Sequence, residues 1–309
     1  MAVDGTSHWP TISVVIPTRD RPELLARALR AVTSQDYPGE IECLVVFDQS
    51  VPVETIPSED QLRRIRPLIN ARAPGLAGAR NTGILAASGD LVAFCDDDDE
   101  WLPDKLATQV RALRSTDASV VVGGIDIVSQ GRVVSRVPRA SALTFEALLR
   151  SRTVEAHPST VLVRRSALLG RIGLIDESIP GSYGEDYEWL LRAARAQSIT
   201  VVRRPVVCVY WHPSSWFAGR WSTVIPALHY LLHKVPEFQQ EPRGLARIYG
   251  RLAFAYAASG NGRLARRWAV RCLRLNWHER RGYMALAVSS HLASAPALLR
   301  LAQTRGRGI

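Results

Sequence analysis

Residues 91–101 read Leu91-Val92-Ala93-Phe94-Cys95-Asp96-Asp97-Asp98-Asp99-Glu100-Trp101, an apolar run that passes without a break into four consecutive aspartates. A short apolar run bounded by polar residues is the pattern of a strand buried on both faces. In open α/β sheets, ligands bind at the carboxyl ends of the strands, which is where these aspartates stand. The flanking sequence fits that class. Upstream, Ile12–Ile16 and Ile41–Phe47 read as strands, and Arg21–Gln35 and Ala77–Ala87 as helices. Leu24, Leu25, Ala28, Leu29 and Val32 lie on one face of the first helix, with Asp20 expected as its N-cap and Pro22 in its first turn. Downstream, Pro103–Ser115 reads as a helix opened by proline, and Ser119–Ile127 and Arg132–Val137 as two strands joined at Ser129-Gln130-Gly131. Strand and helix alternating at this spacing predict an α/β sheet covered on both faces.

Four adjacent carboxylates repel one another unless a cation intervenes. Clustered oxygen ligands suit Mg²⁺ or Mn²⁺, ions that commonly bridge protein to substrate phosphates. A solvated acidic loop, or negative charge at the start of the following helix, would use the same residues without a metal. The other strand ends carry weaker signals. Pro17-Thr18-Arg19-Asp20-Arg21 offers a hydroxyl and guanidinium groups for a nucleotide, or a cap and surface charge. Asp48 would accept from a base N–H or make a turn. Gly78-Ala79-Arg80-Asn81-Thr82-Gly83 suits close approach to a diphosphate, or tight packing of helix on sheet. Gly184-Glu185-Asp186-Tyr187-Glu188-Trp189 opens an apolar helix, where a carboxylate serves as general base or as cap.

The chain has 309 residues, 47% hydrophobic and 22% charged, which excludes wholesale disorder and a disulfide-stapled miniprotein. Cys43, Cys95, Cys208 and Cys272 show no paired spacing and read as reduced thiols. The net charge of +10 is unevenly spread. Residues 1–215 hold 24 Lys and Arg against 26 Asp and Glu, a net of −2, whereas residues 216–309 hold 15 against 3, a net of +12. This predicts a division near Trp211–Trp216. The start of the sequence lacks the basic leader and apolar core of a secretory signal, so a cytoplasmic enzyme is expected.

Taken in order, IPTRDRPELLARAL, FDQS, LAGARNTGILAASGDLVAFCDDDDEWLPDKL, HPSTVLVRRSALLGRIGLIDES and GEDYEWLLRAA resemble the family 2 glycosyltransferases, over roughly residues 10–212. The resemblance implies a GT-A (Rossmann-like) domain at residues 1–215, followed by a basic α-helical extension at 216–309. It also implies an inverting transfer of sugar from a nucleotide-diphosphate donor to an acceptor hydroxyl. Under it, Pro17, Thr18, Arg19 and Asp48 face the nucleotide and Arg80 lies near its base or ribose. Asp96-Asp97-Asp98 supplies the D-x-D pattern, with Asp96 and Asp98 for the metal or the ribose-diphosphate and Asp97 and Asp99 on the donor. Asp186 is the implied base. His212 stands where many such enzymes place a late metal or diphosphate contact, or packs beside aromatic residues. Many members carry two acidic residues and a glycine after the second strand; here only Asp48 is kept, and a UDP-sugar is the expected donor. His157-Pro158-Ser159-Thr160 falls in the acceptor region, with no acceptor identified.

Gly244–Ala258 and Arg263–Leu275 read as amphipathic helices separated by Gly260-Asn261-Gly262. Gly282–Leu299 has no charged residue but is polar for a membrane span. Basic amphipathic helices with Trp268 and Trp277 suit an anionic membrane surface, at the inner face of the membrane and near a lipid-linked, saccharide or small-molecule acceptor, or else form a helical cap or oligomer face. A sugar-nucleotide pyrophosphorylase would carry a glycine-rich basic loop after the first strand, and Pro17–Pro22 has none. A nucleic-acid-binding protein would leave the aspartates unexplained, and no nucleic acid is expected as partner.

Overall fold

The structure, a computed structural model, describes residues 8–52, 61–129, 131–210 and 219–304. Strand β1 (Ile12–Thr18) is buried at all seven positions, as a strand covered on both faces must be. Helix α1 (Pro22–Thr33) follows, burying Leu25, Ala28, Leu29 and Val32 at helical spacing. Asp20 is not its cap: Arg21 is the N-cap residue and bonds no backbone N–H with its side chain, while Asp20 takes a φ of 53°. Next come β2 (Ile41–Phe47), β3 (Arg63–Ile69), α2 (Leu76–Ala86), β4 (Leu91–Phe94), β5 (Glu100–Trp101), α3 (Lys105–Arg114), β6 (Val120–Ser129) and β7 (Arg132–Arg136). They are followed by α4 (Phe145–Arg150), β8 (Leu162–Arg164), α5 (Arg165–Leu169), α6 (Glu185–Ala196) and β9 (Ile199–Tyr210).

Among the described residues these strands form one sheet in the order β3-β2-β1-β4-β8-β6-β9-β5, with β7 beside β6. β3, β2, β1 and β4 are parallel, and Thr18 lies opposite Phe47, so β1 and β2 end level. β8 runs antiparallel to both β4 and β6. The chain divides into two compact units. The first comprises the described residues of Met1–Thr144, Thr153–Glu177 and Glu185–Trp211. The second comprises Phe145–Arg152, Ser178–Gly184 and the described residues of His212–Ile309, so it draws in two segments from before residue 215.

In the first unit, Ile12, Val14 and Ile16 pack with Leu25, Leu29, Val45, Leu106 and Val110 on one face of the sheet. On the other face α2 rides directly on β1, because an added Cβ at Gly83 would lie 2.4 Å from Val15 Cγ1. The second unit contains α4, α7 (Trp221–Lys234), α8 (Pro242–Ala258), α9 (Gly262–Leu275), α10 (Arg280–Ser289) and α11 (Ala295–Thr304). Its core is made largely of small side chains, Ala253, Ala257, Ala265, Ala269, Ala285 and Ala295 around Phe254, which lets helices approach closely. Glu241, Asn261 and Glu279 cap α8, α9 and α10 by accepting backbone N–H groups. The uncharged stretch 282–299 is broken where His291 takes a φ of 59°, and no described helix is long and apolar enough to cross a membrane.

Replacing Gly83 by valine should lower stability by about 2–3 kcal/mol, as overpacking does. Urea denaturation would measure it, and an unaltered midpoint would mean that α2 has room to spare above β1.

Candidate active site

The parallel strands bring their carboxyl ends to one edge of the sheet. Beyond β1, Thr18 Oγ1 donates to Asp97 Oδ2 at 2.7 Å, and Arg21 Nη1 reaches Asp97 Oδ1 and Asp98 Oδ2, each at 3.2 Å. Arg27, from α1, donates to the Asp98 carbonyl at 2.6 Å and stacks 4.1 Å from the Tyr210 ring centroid. The acidic loop is thus neutralised from one side by two arginines that strand and helix hold in place. Pro17 is buried within β1, while Arg19 is exposed and 4.0 Å from Asp20. Asp20 and Gln49, two residues past the ends of β1 and β2, hold φ angles of 53° and 52°. Such strain in non-glycine residues persists where surrounding structure enforces it.

From the other side comes Arg80 of α2, only 2% exposed. Its Nη2 donates to Asp96 Oδ1 at 2.7 Å, and its Nη1 donates to Glu185 Oε1 at the start of α6. Burial disfavours the guanidinium charge, but Asp96 and Glu185 outweigh burial and hold the Arg80 pKa above its ordinary value. Arg80 is therefore engaged by two carboxylates. Asp186, the next residue after Glu185, lines a small pocket with Arg80, Phe94, Pro158 and Trp189.

Asp99 is 2% exposed and accepts from Ser159 Oγ at 2.5 Å, while Ser159 Oγ accepts from the Asp96 N–H at 3.0 Å. His157 Nδ1 lies 3.3 Å from Asp99 Oδ2, and its Nε2 lies 4.0 Å from Asp96 Oδ2. Asp96, Asp99 and His157 therefore present ligand atoms within 4.8 Å of one another. Two carboxylates and an imidazole form a donor set that fits Mn²⁺ or Mg²⁺. Burial pushes the Asp99 carboxyl up to about 7, against the pull of His157, and pushes Asp97 up to about 6 in spite of Thr18 and Arg21. Burial likewise raises Glu185 to about 7, with Arg80 opposing and Asp186 adding to the rise.

Asp48 is buried at the end of β2, where it accepts from Asn70 Nδ2 at 2.7 Å and from the Gly75 N–H at 3.0 Å. It ties the turn after β3 to the start of α2, a structural task alongside any contact with a base. Asp98 carries its carboxylate on Arg21, so the three-ligand group contains Asp99 and His157 beside Asp96. His212 lies outside the described residues. Arg27 was not among the expected site residues, while Arg21, Ser159 and Glu185 stood in the motifs singled out without a contact to the aspartates being expected of them. The signals for Ser159 and His157 were present in His157-Pro158-Ser159-Thr160, but nothing local ties them to Asp99, which lies 60 positions from Ser159.

Residues 13–169 match the profile of glycosyl transferase family 2. The chain is 26% identical over 200 residues to the Escherichia coli UDP-Glc:alpha-D-GlcNAc-diphosphoundecaprenol beta-1,3-glucosyltransferase WfgD, covering 64% of this chain and 75% of that protein. It spans less than half the length of three further curated relatives. The fold is similar to that of S. aureus TarS 1-349 in complex with UDP-GlcNAc, with a TM-score of 0.59, 17% identity and 91% of each chain covered. It is similar too to the mannosyltransferase PcManGT from Pyrobaculum calidifontis in complex with GDP-Man and Mn²⁺, with a TM-score of 0.53, 20% identity, 97% of this chain and 81% of that one covered. The α/β sheet with its C-terminal helices is a GT-A fold.

Removing the buried cation should be costly. Arg80→Met leaves Glu185 and Asp96 uncompensated and should destabilise by about 3–5 kcal/mol near pH 8. Because a raised carboxyl pKa gives stability that is lost as pH rises towards that pKa, the deficit should shrink when Glu185 takes a proton at pH 5. Denaturation at the two pH values measures this, and an equal deficit at both would refute the coupling.

Proposed function

The chain belongs to glycosyl transferase family 2 and is a glycosyltransferase using a nucleotide-sugar; from that premise we propose an inverting, metal-assisted transfer from a UDP-sugar to an acceptor hydroxyl, with Asp186 as general base. The observation that carries it is the convergence at one sheet edge of Asp96, Asp99 and His157, with Arg80 joining Asp96 to the helix that bears Asp186. In this reading the acceptor oxygen attacks the anomeric carbon while Asp186 takes its proton. The bond from that carbon to the β-phosphate oxygen breaks on the opposite face, and the electron pair leaves with the nucleoside diphosphate. One carboxylate placed by α6 suffices for this, since inversion uses no enzyme nucleophile.

Asp96 and Asp98, with Asp99 and His157 beside them, would hold a divalent ion, which when bound supplies positive charge to the departing diphosphate. Thr18 orients Asp97, Arg21 holds Asp97 and Asp98 apart from each other's charge, and Arg80 sets the direction of Asp96 and Glu185. Pro17, Arg19 and Asp48 line the nucleotide side. His212 is retained as a further contact of the ion or diphosphate. A GT-A domain over residues 1–215 with a basic extension over 216–309 is part of the same reading.

The name of the Escherichia coli relative states a diphosphoundecaprenol-linked acceptor. A lipid-linked acceptor is proposed here too, with the enzyme in the cytoplasm against the inner face of an anionic membrane. The basic second unit supports this: it holds only Glu146, Glu237, Glu241 and Glu279 as carboxylates, of which Glu241 and Glu279 already cap helices.

Asp186→Asn should lower the turnover number by about a thousandfold or more while leaving donor affinity near that of the wild type. Steady-state rates with a labelled donor, together with donor calorimetry, read the two separately; retained turnover would remove Asp186 from the role of base. Asp98→Ala should abolish the Mn²⁺-dependent part of UDP binding, and His157→Ala should weaken it by about tenfold or more. Calorimetry with Mn²⁺ and with EDTA gives that part by difference, and an unchanged difference would take the substituted residue out of the ion site.

A further inference from the structure

Helix α9 sorts its residues sharply by face. Ala265, Ala269 and Cys272 are buried against the rest of the second unit, whereas Arg263, Arg266, Arg267, Val270, Arg271 and Arg274 are exposed. At helical spacing these exposed positions fall within one arc of about 140°, opposite the buried ones. The helix has no acidic residue, and Glu279, the nearest carboxylate in sequence, is engaged by Arg281 at 2.8 Å. Arg266 donates to the Ser289 carbonyl at 3.3 Å, and Arg271 lies 4.9 Å from the Trp268 ring centroid. Among the described residues Arg263, Arg267 and Arg274 make neither an ion pair nor a side-chain hydrogen bond. Like charges four residues apart, Arg263 with Arg267 and Arg267 with Arg271, destabilise a helix, and cations near its N-terminus oppose its dipole. An extended anionic surface would turn both costs into attraction. Arg251 of α8 is arranged differently: it donates to Tyr183 Oη, and Gly250 beside it leaves room for α10, since an added Cβ there would lie 2.9 Å from Arg281 Cβ.

Apolar groups stand exposed beside the α9 arginines. Val270, inside the arginine arc, is 43% exposed, and Leu275, at the end of the helix, is 38% exposed. Trp277 is 66% exposed, and the turn after α9 holds it there. Asn276 Oδ1 accepts from the His278 N–H at 3.1 Å, and Tyr283 Oη donates to the Trp277 carbonyl at 2.9 Å. Trp277 follows Arg274 by three residues, so their Cα atoms stay within about 11 Å. Tryptophan, an apolar body with one polar N–H, is the side chain favoured where lipid meets water. A nucleic acid would engage the same arginines through its phosphates, but it has no use for an aliphatic side chain in their midst. The apolar face of α9 is occupied by its own unit, so the helix cannot sink into lipid as a free amphipathic helix does.

We infer that the arginine face of α9, with Trp277, is an electrostatic docking surface for a bilayer rich in anionic lipid, one that adsorbs the protein without inserting a helix. It rests on the lipid-linked reading above and names the face through which the second unit meets the membrane. Attachment of this kind is reversible, because it weakens with added salt and with a falling share of anionic lipid.

The test is co-sedimentation of the full chain with vesicles of phosphatidylcholine, alone or mixed with phosphatidylglycerol. Wild type should bind the anionic vesicles about tenfold or more tightly than the zwitterionic ones. Raising NaCl from about 0.1 M to about 0.5 M should release it. Arg267→Gln and Arg274→Gln should each weaken binding by about fivefold, with circular dichroism unaltered because both side chains are exposed. Brominated phosphatidylglycerol should quench tryptophan fluorescence, and Trp277→Phe should remove that quenching. The inference is overturned if wild type ignores anionic vesicles, if both arginine variants bind them like wild type, if binding survives high salt, or if quenching persists in Trp277→Phe. Tighter binding to random duplex DNA than to the vesicles would overturn it too. A chain that binds vesicles in this manner but transfers sugar only to water-soluble acceptors would refute the lipid-linked acceptor and leave the surface standing. One that glycosylates a lipid-linked acceptor in detergent yet binds no vesicle would refute the surface alone.

Discussion

Carboxylates crowded at the end of a buried strand repel one another, and the organisation of the first unit answers that repulsion. β4 must be apolar to sit at the sheet centre, so its first polar residues emerge together at the edge. Arg80, anchored through α2, meets Asp96 from below, while Arg21 and Arg27, anchored through α1, meet Asp97 and Asp98 from the side. What these arginines leave unmet is concentrated on Asp99, whose nearest polar partners are a serine hydroxyl and an imidazole. A group so placed gains from a cation or from a proton, and a divalent ion competes with the proton for it.

This division of charge explains which parts of the molecule were legible in the sequence. β1, β2 and β4 are continuous apolar runs because both their faces are covered, and the helices between them show regular spacing. β3 escaped notice because Arg63, Arg64 and Arg66 break any apolar pattern; it lies at the sheet's edge, where Pro67 is also tolerated. β5, β8 and β9 are read only once their partners are known, since two are very short and β9 follows no turn signal. The four aspartates stood out by composition, whereas the serine that meets them lies in a 3₁₀ turn at Pro158–Thr160 and the histidine caps that turn, and only the folded sheet makes them neighbours. Asp20 looked like a helix cap because the residue type and position were right. The backbone instead turns through the left-handed region there, and Arg21 takes the cap position while its side chain serves the acidic loop.

The second unit shows the reverse relation between charge and structure. Counting residues located the basicity, but not its arrangement. Part of it lies along α9, where Arg263, Arg266, Arg267, Arg271 and Arg274 are exposed in a helical stripe around Val270. Part is drawn inward around Arg251, and it is glycine, not charge, that permits this. Both arrangements are cationic but they differ in exposure, and it is the exposed stripe that attracts any anionic surface.

The interleaving of the two units along the chain has a consequence for biosynthesis. Phe145–Arg152 and Ser178–Gly184 are made before β9, yet α4 packs with α8, which begins about ninety residues further on, and Pro180–Ser182 packs with α7, which begins about forty residues further on. At ordinary rates of translation the ribosome needs roughly 5–20 seconds to deliver those helices after α4 has emerged. Helix α4 and the loop Ser178–Gly184 must therefore wait for their neighbours while the chain between is made. That loop runs directly into Glu185 and Asp186, so the approach to α6 is among the last parts of the protein to be set.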